Sequence, residues 1–222
     1  MMLPQTILAL ELSTARGSVA LASHGEILFS ADFVSHRSHN SMLYDPIREA
    51  LTHCGRRPDA IVVGTGPGSY TGVRIAIAAA QGIGLAAGSR IVGCPSLCAA
   101  PASTTTYHLV GDARRGGWYH AQINETRLVG DITILTEAEI AAQMDAGQDE
   151  SWLTFDENLL IAGIAVQPIC PTAQRLAEIA NRWTEEEWNQ HDSAGPLQPI
   201  YLREAFITTP KRSHLVVQEP MP

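Results

Sequence analysis

Apolar and polar positions along the chain follow two periods, and the changes of period mark the elements. Residues 6–10 (TILAL) are a short continuous apolar run closed by Glu11, the pattern of a buried strand. ELSTARG (11–17) is turn-like, SVALAS (18–23) resumes as a strand, and Gly25 marks a hairpin into a third strand over 26–33. The spacing then becomes helical over 41–54, with Asn40 or Ser41 as N-cap and Pro46 in the first turns. Leu43, Ile47, Ala50, Leu51 and Cys54 share one face of that helix. Residues 60–63 read as another buried strand, which runs into GTGPGSYTGVRIA (64–76).

The second half opens after the polar patch STTT (103–106). Residues 107–111 read as a strand ending at Asp112, followed by the turn ARRGG (113–117) and a strand over 118–123. The beginning of the chain has the same plan: apolar strand, terminal acid, glycine-containing turn, second strand. Glu11 and Asp112 hold equivalent places, which suggests two related halves, 1–102 and 103–222. Acidic, irregular residues 143–158 read as an exposed loop and 159–166 as a strand. Residues 171–183 read as a helix with Ala173, Leu176, Ala177, Ala180 and Trp183 on one face. Strands mixed with helices of these lengths make an α/β protein.

The glycine-rich stretch fits no standard phosphate loop. A Walker loop needs a lysine that is absent here, and a dinucleotide fingerprint would put its third glycine where Ser69 stands. Gly66-Pro67-Gly68 therefore reads as a tight turn, with Ser69 or Thr71 capping the helix that follows. An anion at that helix start stays open as a reading.

The helix itself, GVRIAIAAAQGIGLAAG (72–88), is apolar or small nearly all round, with Arg74 its one charge. Such a helix is covered on both sides. One side packs on its own sheet. The other is expected to meet a partner, through Arg74, Ala76, Ala79, Ala80 and Ile83 and, on the preceding helix, Met42 and Tyr44. The competing reading is a central helix enclosed by its own domain.

Composition narrows the classes. Apolar content of 45% and charged content of 17% over 222 residues describe a globular protein with a real core. A net charge of −8 argues against a broad nucleic-acid-gripping face, so any RNA contact is expected to be shared with a partner; Lys211-Arg212 is one small basic candidate. Cys54, Cys94, Cys98 and Cys170 form no CxxC pair, and Cys94 and Cys98 read as small residues in a buried turn or helix start. The opening MMLPQTILAL has no basic region before its apolar run, and no segment reads as a membrane span. Reduced thiols then give a cytoplasmic expectation.

GTGPGSYTGVRI (64–75) with its Ala-rich helix and Gln81-Gly82 resembles the TsaB (YeaZ) family. Further matches are LALELST (8–14), Ser38-His39, Ile91-Val-Gly93 with Ser96-Leu97, Asp112-Ala-Arg114 and Pro199-Ile-Tyr-Leu-Arg203. The resemblance implies two RNase H-like halves of the actin-like ATPase (ASKHA) superfold. It also implies a non-catalytic partner of TsaD, which transfers a threonylcarbamoyl group to the adenosine beside the tRNA anticodon. Pairing would use helices 41–54 and 72–87; pairing of the isolated chain with itself through the same face stays open as a reading. A TsaE-type ATPase would join the complex, tRNA would be met indirectly, and ATP or ADP would sit only at the subunit junction.

TsaD carries an H-x-x-x-H metal pair soon after its second helix, whereas residues 92–99 here have no histidine. The eight histidines form no such pair anywhere; His36 and His39 read as loop and helix-start residues, so no metal site and no catalytic residue is expected. Glu11 stands where the family commonly has Asp, shifting the carboxylate by about 1.5 Å, which a tight octahedral shell tolerates poorly. Glu11, Ser69, Thr71 and Asp112 remain the candidates for an anion or nucleotide. The competing functions are a small-molecule kinase using Glu11 and Asp112, and a glycoprotease-like metallopeptidase.

Overall fold

The computed structural model describes residues 3–34, 39–55, 57–147 and 149–203. His36, Lys211 and Arg212, and the side chains of His39, Asn40 and Ser41, lie outside the described residues.

The first sheet begins as an antiparallel meander of β1 (Thr6–Glu11), β2 (Arg16–Ser23) and β3 (Glu26–Val34). Helix α1 (His39–Cys54) leads to β4 (Ala60–Gly64), parallel to β1, and α2 (Tyr70–Ala87) leads to β5 (Arg90–Cys94), parallel to β4. The strand order is β3-β2-β1-β4-β5. Every residue of β1 and β4 is buried, as their unbroken apolar runs require of central strands covered on both faces. Leu8, Leu10, Ile61 and Val63 face one core with Leu43 and Ile47 of α1 and Val73, Ala76 and Ile77 of α2. Ile7, Ala9 and Val62 face the other way, into a core shared with the second half.

A short 3-10 turn (Ser96–Ala99) leads into that half. It places Cys94 and Cys98 in buried positions, as the sequence pattern indicates. The second meander is β6 (Thr106–Asp112), β7 (Trp118–Asn124) and β8 (Arg127–Leu135). Helix α3 (Glu137–Ala146), β9 (Trp152–Thr154) parallel to β6, the hairpin β10 (Leu160–Ile161) and β11 (Ile164–Ala165), and β12 (Gln167–Pro168) follow. The order β12-β9-β6-β7-β8, read from its meander edge, repeats that of the first sheet. The chain is thus an α/β protein of two RNase H-like halves, the ASKHA arrangement, with Glu11 and Asp112 closing equivalent strands.

Several local expectations are corrected. Residues 143–158 are not one exposed loop: they include the end of α3 and β9, whose Leu153 and Thr154 are buried. α3 buries only Ile140 and gives little periodic signal, but Thr136 and Glu139 form a capping box at its start. The single strand expected over 159–166 is a hairpin, turned at Ala162 and Gly163, both in the left-handed region. Helix α4 (Ala173–Ala180), capped by the Thr172 side chain, is shorter than its apolar face implied.

The division at residue 102 separates the two sheets but not the packing. α4 returns to cover β1 and β2, with the Ala173 amide donating to Ser18 Oγ at 2.8 Å. Helix α5 (Glu185–Ser193) docks on β5, where Arg90 pairs with Asp192 at 2.5 Å and lies over the Trp188 ring. No helix among the described residues is long and apolar enough to cross a membrane.

Candidate functional site

The glycines of the loop after β4 answer to packing. A Cβ on Gly64 would lie 1.8 Å from Glu11 Oε2, one on Gly68 2.1 Å from the Ser13 carbonyl, and one on Gly72 2.0 Å from the Leu12 carbonyl. The loop and the start of α2 therefore lie directly on the turn that follows β1. Gly66 has φ +90°, where a side chain is strained.

Three of the loop's amides are also engaged. Ser69 N donates to the Ser13 carbonyl at 2.6 Å, Gly66 N to Ser96 Oγ at 3.0 Å, and Gly72 N to the capping Ser69 Oγ at 3.1 Å. A phosphate cradle needs such donors unspent. Ser69 caps the helix as expected, while Thr71 sits exposed within its first turn and caps nothing.

Glu11 does not reach solvent. It is fully buried, its Oε1 accepts the Ser13 amide at 2.6 Å, and its Oε2 has no hydrogen-bond partner. The expectation that Glu11 contacts a ligand is therefore corrected: the turn above it seals it, and it braces that turn. Burial raises its pKa above 4.5, opposed in part by the hydrogen bonds from Ser13. The folded state then holds the proton more tightly than the unfolded chain. This component of stability is present below about pH 4.5 and is lost as pH rises through the raised pKa. Glu11→Gln is expected to be more stable than the wild type at neutral pH and to lose that component of the pH dependence. Denaturant midpoints of both proteins at pH 5 and pH 8 check this, and a less stable variant at pH 8 contradicts it.

Above the loop a cleft of about 590 Å³ separates the two halves. Ser13, Ser69, Asp112 and Asp156 are among the residues that line it; Glu11 and Thr71 do not. Asp112 Oδ1 accepts the Arg114 amide at 2.6 Å, and the Asp112 amide donates to Asp156 Oδ2 at 2.8 Å. Asp156 was not evident in the sequence, because it arrives from the stretch after β9.

The segment Pro199 to Arg203 crosses the mouth of the cleft. Ile200 N donates to the Thr65 carbonyl at 2.8 Å, and Tyr201 lies against Tyr70 with ring centroids 5.6 Å apart. Four stretches that carry the family resemblance thus meet here from distant parts of the chain. No group of three or more metal-ligating side chains occurs among the described residues.

Away from the cleft, His108 Nδ1 and His120 Nε2 are 2.9 Å apart, and His108 Nε2 is 3.1 Å from Glu150 Oε2. Trp152 covers both rings. Burial lowers both imidazole pKa values, and Glu150 pulls them back up.

The outer surface of α1 and α2 is the second candidate site. Met42, Tyr44 and Arg74 are exposed, and Ala79 and Ile83 are half-buried. Ala76 and Ala80 are fully buried in the chain's own core, so their assignment to a partner face is corrected. The outward stripe is instead Arg74, Ala78, Gln81, Gly82, Leu85 and Ala86, with Leu85 88% exposed. Ala76, Ala79, Ala80 and Ile83 share a helical stripe that turns inward. Arg74 and Gln81, seven residues apart, were the sequence marks of the outward side.

Comparison with known proteins agrees with this architecture. The family model described as "TsaD: tRNA N6-adenosine threonylcarbamoyltransferase" matches residues 33–198. The chain is 28% identical to the tRNA threonylcarbamoyladenosine biosynthesis protein TsaB of Haemophilus influenzae, over 89% of this chain and 93% of that protein. It is 37% identical to TsaB of Escherichia coli over 41% of this chain and 40% of that one. YeaZ from Pseudomonas aeruginosa superposes with a TM-score of 0.68 at 26% identity, over 89% of this chain and all of that one. With the repeated sheet order, the converging loop and C-terminal segment, and the matched family model, the chain belongs to the TsaB (YeaZ) family.

Proposed function

We propose that this protein is a non-catalytic partner subunit of a TsaD-type threonylcarbamoyltransferase in the formation of N6-threonylcarbamoyladenosine beside the tRNA anticodon. It acts in the cytoplasm by pairing through the outer face of α1 and α2. A TsaE-type ATPase and the tRNA are met in the assembled complex, and any ATP or ADP sits at the subunit junction. One observation carries the reading: Leu85 stands 88% exposed on an outward stripe with Ala78, Gly82 and Ala86. A large apolar side chain flanked by small residues lets a second helix approach closely, which suits a helix-on-helix joint. Glu11 sealed beneath the loop and the engaged amides of Gly66, Ser69 and Gly72 favour a supporting role over independent phosphoryl chemistry.

The test mixes the purified chain with its cognate transferase. A stoichiometric complex by size-exclusion chromatography with light scattering is expected, weakened about 30-fold or more by Leu85→Glu. Alone, the chain is expected to pair with itself through the same face and to neither hydrolyse ATP nor cleave glycoprotein. ATP turnover by the lone chain, abolished by Asp112→Ala, would instead make it a kinase-like enzyme.

A further inference from the structure

The mouth of the cleft combines two features, of which Arg74 alone is shared with the outward stripe of α2. Tyr70, the first residue of α2, and Tyr201, on the crossing segment, are 56% and 52% exposed, with rings 5.6 Å apart and inclined at 37°. Arg74 lies 5.1 Å from the Tyr70 ring centroid and donates to the Tyr70 hydroxyl, which holds ring and guanidinium in one arrangement. Arg114 and Arg115 cap the turn between β6 and β7 at φ 64° and 55°, in the left-handed region that favours glycine. Both arginines line the same cleft, and Arg114 Nη1 also pairs with Asp112 Oδ2 at 3.3 Å. In a chain of net charge −8, this cleft gathers Arg114, Arg115 and Arg203 against Asp112 and Asp156, with Arg74 beside Tyr70 next to it.

Exposed aromatic side chains flanked by cations suit a ligand that alternates flat bases with phosphates. A duplex hides its base faces and needs a broader basic surface. A free nucleotide would draw on the loop's amides for its phosphates, and those of Gly66, Ser69 and Gly72 are already engaged. We propose that Tyr70, Tyr201, Arg74, Arg114 and Arg115 form a contact surface for a single-stranded stretch of RNA, with bases stacked on the tyrosines and phosphates on the arginines. The inference rests on the tRNA-modification reading and extends it: the subunit itself touches the unpaired part of the substrate.

The experiment titrates the full chain into a fluorescently labelled twelve-nucleotide single-stranded RNA, followed by anisotropy at about 50 mM and 200 mM salt. Saturable, salt-sensitive binding is expected. Tyr70→Ala with Tyr201→Ala should weaken it at least ~10-fold, with Tyr70→Phe retaining the stacking. Arg114→Glu with Arg115→Glu should weaken it and lower the salt slope by about 1.4. Arg48→Glu, a charge reversal on exposed α1, should change nothing. Absence of saturable binding at 50 mM salt, tyrosine variants that bind as wild type, equal affinity for duplex RNA, or full competition by equimolar ATP would each overturn the proposal. Leu85→Glu separates this from the partner reading: it should weaken pairing about 30-fold or more and leave the RNA titration unchanged.

Discussion

Alanine at position 72 is expected to destabilise the fold by about 3 kcal/mol, although alanine is the better helix former. The new Cβ would meet the Leu12 carbonyl at 2.0 Å and its carbonyl carbon at 3.2 Å. Both are main-chain atoms of the turn after β1, which cannot swing aside as a side-chain tip can. Gly82, ten residues on in the same helix, has nothing within 4 Å of its would-be Cβ. There the same substitution should stabilise by about 1 kcal/mol, through helix propensity alone. For a chain of this size the two variants should shift Tm by roughly −6 to −12 °C and +2 to +4 °C respectively. Thermal unfolding followed by circular dichroism reads both. Equal stabilities would mean that α2 does not lie against Leu12 as described.

The second large effect is a contrast two residues apart. Ala76 is fully buried beside Val63, Val73 and Ile77, so Ala76→Arg places a cation in the core without a partner. The effective penalty of several kcal/mol takes most of a typical stability margin, and the variant is expected to be unfolded or insoluble. Ala78 is exposed, so Ala78→Arg should leave stability within about 0.5 kcal/mol of wild type. Against the transferase, the same arginine would be desolvated in the joint, and affinity should fall about 100-fold. Soluble expression, unfolding curves and a pull-down together decide the matter. A folded Ala78→Arg chain that still pairs normally would move the joint elsewhere.

Much of the architecture was legible in the sequence because its signals are local. Unbroken apolar runs announced β1 and β4, the glycine turns marked the hairpins, and the repeated strand-acid-turn-strand plan announced two halves. Reading the glycine loop as a turn was also correct, since lysine and the third glycine are missing. The orientation of α2 was not recoverable in the same way. A helix with apolar or small residues all round has no polar stripe to point at water, and only Arg74 and Gln81 hinted at it. The rest depended on contacts between distant residues. Asp156 beside Asp112, Tyr201 against Tyr70, and His108 in line with His120 are each brought together by sheet order or by a crossing segment, which no short-range period encodes.

The return of α4 carries a consequence for how the protein is made. Ile7, Ala9, Ala20 and Ala22 on the sheet's inner side are covered by residues such as Leu176 and Ala177, which leave the ribosome long after the strands themselves. A nascent chain that has emerged only as far as the first sheet therefore presents a bare greasy plane, and its native burial waits until residues 173–180 have followed it out.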